Sequence, residues 1–85
     1  MSWCKSKHWT ITRSWVGGKC EKADPSHTIP FRLKDDDGMV YFHGKMSTKL
    51  FNSSEIFQPL DATIEDYGCT SLEIKRPNSN DWEYV

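Results

Sequence analysis

The sequence predicts a mainly β domain, either a small antiparallel sheet or an SH3-like, partly open barrel, with one short helix. Three observations carry this. Residues 31 to 46, "FRLKDDDGMVYFHGKM", alternate apolar and polar side chains on both sides of an Asp-Gly pair. A second hairpin, "TSLEIKRPNSNDWEYV", closes the chain, and the one helical stretch expected is a turn or two near residue 61. Eighty-five residues make a single domain, 1–85, with one modest core.

The elements follow in order. "HWTITRSWV", residues 8 to 16, reads as a first strand, with Trp9, Ile11, Arg13 and Trp15 on one face and Thr10, Thr12, Ser14 and Val16 on the other. "GGKCEKADPSH", residues 17 to 27, reads as a connecting loop, long for so small a domain. In the hairpin that follows, Gly38 supplies the positive φ that a tight turn needs. A two-residue loop at Asp37-Gly38 pairs Leu33 with Phe42 and Arg32 with His43, whereas a four-residue loop pairs Leu33 with Val40 and Phe31 with Phe42. Either register sends Phe31, Leu33, Val40, Phe42 and Met46 to one side and Arg32, Lys34, Tyr41, His43 and Lys45 to the other.

"STKLFNSSEIFQPL" reads as a short irregular segment and an extended piece ending near Pro59. "DATIEDYG" predicts a helix over 61–67, capped by Asp61 or Thr63 and stopped by Gly68. In the closing hairpin Leu72 and Ile74 alternate with Glu73 and Lys75, "PNSND" turns the chain, and residues 82 to 85 return. Of the tryptophans, Trp9 and Trp82 are expected in the core.

Asp35, Asp36 and Asp37 invite a calcium reading, but an EF-hand loop alternates its ligands and ends on a bidentate Glu. Here a strand follows, so the acids read as a solvated turn balancing Lys34 and Lys45. Zinc would have to be assembled from Cys4, His8, Cys20, His27, His43 and Cys69, among which no C-x2-C or H-x3-H pair occurs. Nothing selects a Cys–His pair for nucleophilic catalysis, and no phosphate loop or nucleophile elbow is present. The sequence therefore predicts no catalytic residues, no metal and no cofactor. An odd number of cysteines, without an apolar leader in "MSWCKSKHWT", points to free thiols and a cytoplasmic protein. No apolar run reaches membrane-spanning length.

"FRLKDDDGMVYFHGKM", "FQPLD" at 57 to 61, "YGCTSLEI" at 67 to 74 and the closing "DWEYV" resemble, in that order, a family of small bacterial and phage-borne proteins. Its pattern is an F-R-L-x-D-D-D-G-x-V-Y hairpin, then P-L-D, G-C-T and a terminal W-E. The likeness covers residues 30 to 85, with a looser echo at Trp9 to Thr12. It departs at Phe42, His43 and Ser71, where the family has Tyr and two acids, and in the region 62 to 66. The resemblance implies a unit of this size and no particular activity.

A non-catalytic protein-binding module is the function these observations favour, in the manner of a phage or mobile-element inhibitor of a host protein. The alternative is a single-stranded nucleic-acid-binding β module, because sheet aromatics flanked by cations can stack bases and hold phosphates. Either would bind through Arg32, Lys34, Tyr41, His43 and Lys45. The first twenty residues carry Lys5, Lys7, Arg13 and Lys19 and no acid, while the whole chain has net charge −1. That asymmetry offers a basic surface to a partner, and the acidic remainder weakens general affinity for polyanions.

Overall fold

The structure, a computed structural model, describes residues 6–16, 20, 22–76 and 78–85. Trp3, Cys4, Lys5, Gly17, Gly18, Lys19 and Pro77, to which the sequence assigned parts in a basic segment, a metal set and two turns, lie outside the described residues.

The alternating segments become five strands: β1 (Trp9–Ser14), β2 (His27–Lys34), β3 (Val40–Ser47), β4 (Ser71–Lys75) and β5 (Trp82–Tyr84). Helices α1 (Thr48–Phe51) and α2 (Gln58–Tyr67) lie between β3 and β4. All pairings are antiparallel, in the order β1-β3-β2-β4-β5. Of the two expected architectures the chain adopts the open sheet, with β1 and β5 as its edges.

The β2–β3 register pairs Leu33 with Phe42 and Arg32 with His43, the first of the two registers that the sequence left open. At the tip, Gly38 N–H donates to the Asp35 carbonyl at 3.1 Å and Asp35 N–H to Met39 at 3.0 Å. Gly38 has φ +81°. The loop is thus the three residues 36–38 with a left-handed last position. One residue is then surplus on β3: Lys34 pairs with Val40 and Leu33 with Phe42, so Tyr41 is bulged.

One face of the sheet is apolar. Trp9, Met46 and Ile29 form one row across it, Ile11, Gly44, Phe31 and Ile74 the next, and Phe42, Leu33 and Leu72 a third. Every one of their side chains is buried. Leu50 of α1 and Leu60 of α2 close over these rows, and Tyr67 meets Phe42 edge-on at 5.1 Å.

The helices differ from expectation in three ways. First, α2 begins at Gln58, so Pro59 opens the helix where its missing N–H costs nothing, instead of ending an extended piece. Second, neither Asp61 nor Thr63 caps it; Thr63 is buried and its hydroxyl donates to the carbonyls of Pro59 and Leu60. Third, α1 forms where an irregular segment was expected, because the Ser47 hydroxyl accepts the Leu50 N–H at 3.1 Å. Gly68, at φ +72°, ends α2 as predicted.

Two glycines give a paired test. A Cβ on Gly38 meets nothing within 4 Å, whereas one on Gly44 would sit 2.5 Å from the Phe31 ring and closer still to the Thr10 carbonyl oxygen. Gly38→Ala should therefore cost about 1 kcal/mol through its positive φ alone. Gly44→Ala should cost about 2–3 kcal/mol by overpacking. Urea unfolding of both variants measures the difference; equal losses would mean that the Phe31 ring yields freely.

Candidate binding surface

The surface begins with an irregularity in β1. Ile11 pairs with Gly44 and Arg13 with His43, so Thr12 is an extra residue and its hydroxyl donates to the His43 carbonyl. Without the bulge Arg13 would follow Trp9 and Ile11 into the core, the face on which strict alternation had placed it. With it, Arg13 stands opposite His43 on the other side.

A row of side chains then crosses all five strands on the face away from the core. Arg13 pairs with His43, His43 with Arg32, Arg32 with Glu73, and Glu73 with Tyr84. Glu73 is only 4% exposed. Arg32 Nε donates to its Oε1, and Lys34 Nζ lies 3.6 Å from the same oxygen, so its charge is balanced where water cannot do so. The cations also cover rings: Arg32 lies 4.5 Å from the Trp82 centroid, Lys34 5.6 Å from Tyr84, and Arg13 4.7 Å from Trp15. His43 sits between Trp15 at 5.1 Å and Trp82 at 5.6 Å. The result is a cluster of alternating rings and cations. Trp15 remains 50% and Tyr84 70% exposed.

Burial lowers the His43 pKa below its ordinary 6.5, and the charges of Arg32 and Arg13 add to this. The charge balance of the strands is also one-sided. They contain Arg13, Arg32, Lys34, Lys45 and Lys75 against Glu73 and Glu83. Glu83 is taken up by Arg76 at 2.7 Å.

The residues singled out from the sequence are separated by this arrangement. Arg32, Lys34 and His43 lie together, the first two engaged with Glu73. Lys45 lies farther along β3, opposite Thr10 and Pro30, beside Thr12, Cys20, Lys22 and Ala23. Tyr41 leaves the group: its bulge packs it against the core cluster, and its hydroxyl donates to Asp35. Sequence reasoning missed Arg13, Trp15, Glu73, Lys75, Trp82 and Tyr84 as members of the surface. Trp9 is in the core as expected, but Trp82 is half-buried on the opposite face.

The aspartate tip is not a uniform solvated turn. Asp35 Oδ1 accepts the N–H groups of Met39 at 2.9 Å and Asp37 at 3.0 Å. The Met39 bond chiefly holds its carboxyl below the usual range, with desolvation opposing and the Tyr41 hydroxyl assisting. Bonding to Asp35 in turn raises the Tyr41 pKa. Lys34 serves Glu73 rather than these acids.

Elsewhere, each histidine has its own partners. His27 Nε2 donates to the Lys7 carbonyl at 2.9 Å, leaving Nδ1 to Thr10 at 2.8 Å, and His8 meets Ser47. Cys20 and Cys69 are free thiols; burial pushes the Cys69 thiol up, with Thr63 opposing and Asp35 adding. Among the described residues no three His, Cys, Asp or Glu side chains gather to hold a metal. A groove of about 470 Å³ is lined by Phe51, Ile56, Ile74, Arg76, Glu83 and Tyr84. Among the described residues no helix is long and apolar enough to cross a membrane. No protein-family model, curated protein or solved structure matches the chain.

Asp35 should make the stability of the tip depend on pH. Because its folded pKa is below the ordinary 3.8, its contribution is present above about pH 4 and is lost as pH falls through the folded value. Melting temperatures of the wild type and Asp35→Asn should differ at neutral pH and converge once the pH has fallen through the lowered folded pKa. A gap unchanged in acid would place the effect in geometry rather than charge.

For His43 the sign is that protonation opposes folding, so its contribution falls as pH drops below 6.5. Imidazole NMR should give a His43 midpoint below 6.5, and Arg13→Gln should move it part of the way back. A wild-type midpoint at or above 6.5 would contradict the burial of the ring.

Proposed function

We propose that this protein is a small non-catalytic binding module whose working surface is the cation–aromatic face of the sheet, and that it captures a macromolecule carrying negative charge there. The carrying observation is the strand charge balance: five cations against two acids, each acid already compensated by a neighbouring cation. The exposure of Trp15 and Tyr84 supports the same reading, since Trp, Tyr and Arg supply most of the energy at recognition surfaces. A phage-type inhibitor of a host protein would use this surface on an acidic target.

The test is capture from a bacterial host lysate with immobilised protein, before and after nuclease. Wild type should retain a partner that the Arg13→Ala/Trp15→Ala/Lys75→Ala variant loses, while Phe57→Ser, at an exposed position just before α2, retains it. Equal retention by wild type and the triple variant would remove this face from the function.

A further inference from the structure

We infer that the occupant of this face is a single strand of nucleic acid, its bases stacked on Trp15 and Tyr84 and its phosphates met by Arg13 and Lys75. The inference rests on the reading of this face as the binding surface and names the partner.

Charge complementarity is the first argument. A strand presents regularly spaced negative charges between flat apolar rings, and the face presents cations placed against flat rings: Arg13 with Trp15, Lys34 with Tyr84, Lys75 with Trp82 at 5.9 Å. An acidic peptide matches the charges and leaves the rings without planar partners. The second argument is direction. The row from Arg13 to Tyr84 runs across the strands, between edges that five strands place ~19 Å apart, the reach of a few nucleotides. A strand following that row passes to one side of the exposed Asp36 and Asp37, which lie at the end of the β2–β3 hairpin, along the strands rather than across them. The third is openness. Trp15 and Tyr84 are the most exposed rings on the face, on the β1 and β5 sides of the sheet. Bases stack on such rings with little dependence on sequence, while a duplex keeps its bases within its own stack.

The experiment is fluorescence anisotropy with labelled oligothymidylate and oligouridylate of about twelve nucleotides, against a duplex of the same length and an oligoglutamate of matched charge. Wild type should bind both single strands more tightly than the duplex or the peptide. The log–log dependence of the association constant on salt should have a slope near −1.4, about 0.7 for each of two neutralised phosphates. Trp15→Ala and Tyr84→Ala should each weaken binding roughly tenfold at unchanged circular dichroism, and Trp15→Phe should recover most of that loss. Single-strand binding indifferent to Trp15→Ala and Tyr84→Ala would overturn the inference, as would peptide binding as tight as either strand. If the peptide alone binds and Arg13→Ser/Lys75→Ser abolishes it, the inference fails and the face survives as a binding surface for acidic protein. If neither strand nor peptide binds, both fail.

Discussion

The ring of Phe31 lies against the bare backbone of Gly44 in the middle of β3, and most of the sheet is arranged about that contact. Phe31 pairs with Gly44 on one side and Ile74 on the other, while Gly44 also faces Ile11. Four strands therefore meet in one row, and the absence of a Cβ at Gly44 is what lets an aromatic ring fill its centre. A side chain there would displace the ring and loosen its neighbours, because interiors are packed too densely to absorb a displaced ring. The Phe31–Gly44 pairing also aligns Arg32 with His43 one residue away, so the apolar row and the charged row are two faces of one register.

The charged face has its own internal constraint at Glu73. A carboxylate with so little contact with water is tolerable only beside compensating charge, and Arg32 and Lys34 supply it. This engagement fixes both cations and lays them against Trp82 and Tyr84, so that β5, a strand of only three residues, is held by side chains as well as by its ladder to β4. Arg32 is consequently a positioning group, while Arg13 and Lys75 are more available to a partner.

A domain of this size covers one face of its sheet with helix and leaves the other open, an arrangement that antiparallel sheets tolerate when the open face is polar. Here that face is only partly polar: half-buried rings and cations form a second, thinner cluster across it. The bulge at Thr12 completes the cluster by bringing Arg13 and Trp15 to His43. Stability and recognition thus draw on the same side chains, with the core side supplying rigidity.

The local signals in this chain were strong enough to be read directly. Asp37-Gly38 announced the central hairpin but left two registers open, Leu72 to Lys75 announced the inward and outward sides of β4, and Gly68 marked the end of α2, because turn chemistry and period-two alternation act over a few residues. Three features were beyond that reach. The bulges at Thr12 and Tyr41 reversed or displaced side chains that strict alternation had assigned, since an extra residue in a ladder is selected by the partner strand and not by its own neighbours. The start of α2 at Gln58 depends on Leu60 and Thr63 finding the sheet beneath them, which turned a proline expected to end an extended piece into part of the first turn of a helix. Glu73, Trp82 and Tyr84 joined Arg32 and His43 only because β4 pairs with β2 after a crossing through both helices. By itself the sequence determined the strands and which side of most of them faces inward; tertiary pairing decided which outward side chains share a surface, because that depends on contacts between segments some forty residues apart.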